Sequence, residues 1–191
     1  MHFSKLLALF SLSTAIQAFT IPPGTSDGVY AVKLLDDGTY EHIKLAEPSL
    51  GKRDPLALQI SPQPESSLER RGRGQLWCGC GNNMNHGDCD AAVDDLKNQL
   101  RGGGCCGGFL NYYSIRGSVV AFACNRNGDN VSRGDGDFSW AIGEITNRCG
   151  WYVAGSFDAG DWDYQMIMGY MIYHPGLDFC GMSTSSPHGS C

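Results

Sequence analysis

All nine cysteines of this 191-residue chain fall at or beyond Cys78. That one-sided distribution constrains the fold more than any other feature of the sequence. So many thiols persist as cross-links only in an oxidising compartment, so the chain is expected to be secreted, with a disulfide framework confined to one region. Cross-links shrink the unfolded ensemble, and a stapled region need not bury a large apolar core to be stable. Spacing does not fix the pairing. Eight cysteines are expected in bridges: Cys78, Cys80, Cys89, Cys105, Cys106, Cys124, Cys149 and Cys180. The odd count leaves one thiol over, and Cys191, the final residue, is the natural unpaired or intermolecular cysteine unless it closes onto the domain. A bond between the neighbours Cys105 and Cys106 would close a strained ring, so these two are expected to reach different partners and pin the glycine-rich connector around them.

The segment before the cysteines has a different character. Residues 1–18 carry Lys5, then the apolar run Leu6 to Phe10, then small residues, with cleavage expected after Ala15 or Ala18. This is the order of a secretory signal, and its apolar stretch is too short to span a bilayer. Residues 19–71 hold two alternating runs, Gly28 to Leu34 and Tyr40 to Leu45, around the turn signal Asp36-Asp37-Gly38. They read as a hairpin, which alone is marginal in water. A Pro/Ser/Gln-rich stretch follows, with two dibasic pairs, Lys52-Arg53 and Arg70-Arg71. Dibasic pairs in an extended, exposed linker suit a kexin-type processing protease. The segment is therefore read as a removable propeptide, with the mature protein beginning near Gly72.

Residues 72–180 are expected to form one cysteine-rich domain, followed by a small polar tail over 181–191. Helix one is read from Asp88, as N-cap, to Arg101, with Cys89, Ala92, Val93, Leu96 and Leu100 on its apolar stripe. Helix two is read from Phe138 to Arg148, capped by Asp137 or Ser139 and stopped by Gly150. Strands are read at Tyr112 to Ile115, Ser118 to Cys124, Trp151 to Phe157 and Gln165 to Tyr173, with a short strand before helix one as an option. The expected fold is α+β: a two-layer sandwich of two helices on a mainly antiparallel sheet of about four strands.

Several clusters could carry chemistry. Cys78-x-Cys80-x5-His86-x2-Cys89 has the residue types of a zinc site, but an oxidising destination favours disulfides, so no metal or other cofactor is expected. His86, His174 and His188 are the histidines of the mature region, and no nucleophile elbow accompanies them; no catalytic residue is assigned. Asp158, Asp161 and Asp163 form an acidic loop that could hold calcium or supply paired carboxylates, though a solvated hairpin tip explains it more simply. Arg133-Gly134-Asp135 spells an integrin-binding tripeptide, cheap to obtain by chance in a polar loop. Asn130-Val131-Ser132 is a glycosylation sequon, which would make the protein a glycoprotein. Trp140, Trp151, Tyr152, Trp162, Tyr164, Tyr170 and Tyr173 divide between core and a carbohydrate-stacking platform in proportions the alternation does not settle. A net charge of −6 gives no electrostatic basis for a nucleic-acid or anionic-membrane partner.

The leader, the IPPGTSDGVYAV stretch, the dibasic cut and the compact cysteine-rich domain look like small secreted proteins of filamentous fungi. Within the domain, CGC…GDCDAAVDDLKNQL, YYSIRGSVVAFACN, WAIGEITNRCGWYVAG and GYMIY…LDFC resemble a fungal effector-like group over Asp27 to Val32 and Trp77 to Cys180. More distantly the chain is similar to the killer-toxin-like and necrosis-inducing effector superfamily, whose members are α/β sandwiches that act on plants or on competing fungi. The resemblance implies virulence or antagonism through a host or competitor target, protein or cell wall, and implies no catalytic residues. The alternatives are a small secreted hydrolase working through carboxylates and a cell-wall carbohydrate-binding module.

Overall fold

A computed structural model describes residues 19–49, 74–101, 111–126, 133–158 and 166–191. The described residues form an α+β fold built on one antiparallel sheet of seven strands. In chain order the elements are β1 (Gly28–Leu34), β2 (Tyr40–Ala46), β3 (Leu76–Asn83), α1 (His86–Leu100), β4 (Asn111–Arg116), β5 (Val119–Asn125), α2 (Asp135–Cys149), β6 (Val153–Asp158), β7 (Met166–Ile172) and the single turn α3 (Phe179–Met182). Across the sheet the order is β2-β1-β4-β5-β7-β6-β3.

The expected count of about four strands is corrected to seven, and a short third helix joins the two long ones. The three extra strands are β3 and the two strands of the N-terminal hairpin. The hairpin forms where expected, but it does not stand apart. β1 pairs with β4 over five of its seven residues, from Gly28 opposite Ile115 to Val32 opposite Asn111. Alternation reports that a strand has two faces; it does not report which edge the strand will join.

β5 sits at the centre of the sheet and is buried at every residue. Its run VVAFACN therefore needs cover on both faces. On one face α1 and α2 pack through Cys89, Ala92, Leu96, Leu100, Phe138, Ala141 and Ile145 onto Val119, Ala121, Met166, Met168 and Tyr170. On the other face the cover is made from the two ends of the described chain. Phe19 and Ile21 from the N-terminal segment join Leu177 and Phe179 over Tyr113, Ile115, Val120, Phe122 and Ile167. Phe19 meets the Phe179 ring edge-on at 4.7 Å, and Ile21 and Leu177 are tied by a 2.9 Å backbone hydrogen bond. Phe19, Ile21, Val29, Tyr30 and Val32 are all buried. At about 1.5–3 kcal/mol for each large apolar side chain removed from water, this segment contributes several kcal/mol to the fold.

Helix boundaries shift by short distances with clear causes. Asn85, not Asp88, caps α1, its side chain accepting from the Asp88 amide at 3.0 Å. Asp88 instead accepts from the Ser118 amide and hydroxyl, at 2.9 and 2.8 Å, and so pins α1 to the β4–β5 turn. α2 begins at Asp135, with the Asp137 side chain accepting from the Gly134 amide at 3.2 Å, and ends at Gly150, whose φ of +105° suits a residue without Cβ.

One polar contact fastens the segment just before the first dibasic pair. Asp95, buried on α1, takes Arg116 Nε at 2.5 Å and the Ser49 hydroxyl at 2.5 Å, while Arg116 Nη2 donates to the Ser49 carbonyl at 2.7 Å. Removing one partner of a buried pair strands the other without compensation. Asp95 is the more deeply buried of the two, at 3% side-chain exposure against 15% for Arg116. Arg116→Ala should therefore cost about 3 kcal/mol and Asp95→Ala less, read from urea unfolding midpoints.

His42, on β2, lies between the Phe19 ring, stacked at 5.4 Å, and the Tyr113 hydroxyl, 3.0 Å from Nδ1. Burial lowers its pKa below the ordinary 6.5. The unfolded chain thus binds this proton more readily than the folded one. Its contribution is fully present above pH 6.5 and is lost as pH falls through the lowered value. Melting temperature should fall on acidification across this window, and less steeply in His42→Gln.

Candidate functional site

The cysteines decide where the structure is rigid. Cys78 bonds to Cys149, Cys80 to Cys191 and Cys124 to Cys180. Two expectations are corrected. Cys191 is bridged, because the tail does not trail away: His188 accepts from the Cys78 amide at 2.7 Å and the Cys191 amide donates to Arg148 at 3.0 Å. The tail so covers the outer edge of β3, an edge that would otherwise offer unpaired backbone groups. Cys89 is the free cysteine among the described residues, buried among the core residues under α1. Its helix position demands an apolar residue, and a thiol behaves there as a small hydrophobe. Desolvation raises its pKa to about 12, so the reactive thiolate is scarce at neutral pH. Cys105 and Cys106 lie outside the described residues, as do Asn130, the two dibasic pairs Lys52-Arg53 and Arg70-Arg71, and the signal sequence.

The zinc-like set is dispersed: two of its cysteines are in different bridges, Cys89 is in the core, and His86 stacks on the Tyr152 ring at 3.9 Å. The histidines do not converge either. His174 faces the carbonyl of its neighbour Pro175, and His188 is held in the tail. Arg133-Gly134-Asp135 leads into α2, with Gly134 as its N-cap, and is half-buried. Asp158 closes β6 opposite Ile167 of β7, while Asp161 and Asp163 lie outside the described residues.

An open groove of about 300 Å³ runs between the tail and β3, β6 and β7, lined by Trp77, Asn82, Met171, Met182, Ser186 and His188. Its serine hydroxyls donate to backbone carbonyls: Ser156 to Ser183, Ser183 to Cys180, Ser185 to Met182 and Ser186 to Cys78. Those bonds hold the tail in place. The groove reads as a seam of the fold rather than a reacting centre.

The feature that stands out is the turn from α2 to β6. Gly150 ends the helix, Trp151 projects at 72% exposure, and Tyr152 takes a φ of +59°, the only non-glycine positive φ among the described residues. A bulky aromatic residue rarely occupies the left-handed region, so its neighbours must hold it there. They do so from several directions. Cys149 is bonded to Cys78 immediately before the turn; the Tyr152 carbonyl accepts from the Met84 amide at 2.8 Å; its ring stacks on His86; and its hydroxyl donates to Asp90 at 3.3 Å. Burial, then the nearby Asp90 charge, raises the Tyr152 pKa, keeping the hydroxyl protonated. Trp151 and Tyr152 lie with ring centroids 6.1 Å apart at 49°, so they make a notch rather than a flat platform. Trp140 packs edge-on against Phe157 at 4.8 Å and Tyr170 is buried, leaving both to the core. Sequence reasoning ran β6 through Trp151 and Tyr152; only Cys149-Gly150 hinted at a break.

Compared with protein-family models, with curated proteins and with solved structures, the chain matches none. No described helix is long and apolar enough to cross a membrane.

The sulfurs differ in weight. The Cys78–Cys149 bridge closes a span of 71 residues, worth about 4 kcal/mol in the chain-entropy account. Cys78→Ala should lower stability by most of that amount. Cys89→Ala should cost about 1 kcal/mol and leave the bridges intact. Urea unfolding with disulfide mapping checks the order.

Proposed function

We propose that this is a secreted, kexin-processed, disulfide-stapled effector- or toxin-like protein that acts by binding a target on a host or competitor. The observation that carries the binding reading is the braced turn at Trp151. A large aromatic ring held in water stabilises nothing in the fold, and the turn that presents it is strained yet clamped by a disulfide, a ring stack and a backbone hydrogen bond. Rigid, exposed tryptophan is the residue type from which binding hot spots are most often made, because fixing it in advance removes much of the ordering cost of association. Support for secretion comes from the leader sequence and from three disulfides in the described residues. Support for an effector or toxin role comes from the resemblance carried by the residues between Trp77 and Cys180. The sequon at Asn130 fits a glycosylated secretory product. The tilt between Trp151 and Tyr152 favours a protrusion entering a recess on a partner over a surface laid flat along a polysaccharide.

Purified secreted protein is expected to injure or alter target plant or fungal cells without sustained turnover of polysaccharide, nucleic-acid or peptide substrates. Trp151→Ala should abolish that effect while shifting stability by no more than about 0.5 kcal/mol, as for other exposed positions. Unchanged cell activity in this variant, or sustained turnover by the native protein, would overturn the reading. Retention on chitin or glucan would instead favour the carbohydrate-binding alternative.

A further inference from the structure

We propose that processing at the dibasic pairs nicks this protein without shedding its N-terminal segment, so that the working molecule is a non-covalent complex of two chains. The inference rests on the processing reading above. Cleavage hydrolyses one peptide bond after Arg53 or Arg71, water supplying the new carboxylate on the arginine and the new amine on Asp54 or Gly72. Both cuts fall between β2 and β3, so residues 19–49 lie on one side of them and the residues they contact in β4, α1 and the C-terminal region lie on the other. Those contacts are extensive and of three kinds. β1 supplies a five-residue ladder to β4. Phe19, Ile21, Tyr30 and Val32 complete the core on the face of the sheet away from α1 and α2, against Tyr113, Ile115, Phe122, Leu177 and Phe179. Polar ties then fix both ends of the segment: Ile21 and Leu177 by backbone bonds, Asp27 accepting from the Gly117 amide at 3.1 Å, and Ser49 held by Asp95 and Arg116.

Losing the segment would leave β4 as an open edge and uncover rings that are now at most 2% exposed, including Tyr113, Phe122 and Phe179. Unpaired edges and bared apolar patches invite aggregation. The segment contains no cysteine, so no disulfide holds the pieces together after the cut. The Ser49 clamp sits only a few residues before Lys52, so the new carboxyl end stays anchored even when the first site is used. The retained chain is the occupant of this surface, and a separate partner would have to displace it.

The test digests the purified full chain to completion with a kexin-type protease. Denaturing mass analysis without reduction should give two chains, and native mass analysis and gel filtration at micromolar concentration should give one complex of undiminished size. Arg116→Ala should speed release of the small chain by on the order of tenfold or more. Separation of the native small chain on gel filtration would overturn the proposal. Refusal of the protease to cut would count against the processing reading alone. Retention is then read from a variant carrying a different protease's site within residues 54–69, and there too a freed N-terminal chain would sink the idea.

Discussion

The whole architecture depends on burying β5 along both of its faces. A sheet whose central strand is buried at every position cannot stop at two layers, and two amphipathic helices cover one face only. The chain makes the second cover from short pieces: the stretch around Phe19 and Ile21, and the turn carrying Leu177 and Phe179. Neither piece could hold its position alone. They meet edge to face, and the pair is then extended by Tyr30 and Val32 from β1. The N-terminal hairpin is therefore a structural requirement of the sheet as described, contributing one strand of pairing and a share of a core.

This explains what sequence reading could and could not reach. The helices were legible because a stripe such as Ala92, Leu96 and Leu100 repeats at the helical period, and the strand pair around Arg116-Gly117 because a tight turn joined two apolar runs. The hairpin at Gly28 to Ala46 was legible as a hairpin. Its address was not, because alternation says which residues share a face and is silent on which strand will lie alongside. The same gap explains the cysteines. Cys89 reads as a staple by its company and as a core residue by its place on α1, and helix geometry decides. Cys191 reads as a loose end by its position, yet one backbone hydrogen bond to β3 and another to the end of α2 bring it to Cys80.

The exposed turn was hidden for a related reason. Trp151 and Tyr152 continue the apolar character of β6, and residue type alone extends the strand through them. The backbone breaks instead because Gly150 leaves α2 with a positive φ, and Tyr152 can follow only because Met84 and His86 receive it. Strain of this kind is visible only when tertiary partners are known, and it tends to persist where a side chain must be presented in one direction.

β2 forms one edge of the sheet and β3 the other, and both dibasic pairs lie in the sequence between Ser49, held against Asp95 and Arg116, and the start of β3. Cutting this tie makes the pairing of the two pieces bimolecular, so retention rests on the strand ladder, the shared core and the Ser49 clamp. The aromatic turn belongs with β3, β6 and α1, braced by the Cys78–Cys149 bridge and by contacts that the hairpin does not touch. Cutting the connection therefore alters neither the turn nor its supports. Folding and presentation are served by different parts of the chain: the N-terminal segment closes the core, and the stapled C-terminal region holds one tryptophan out into solvent.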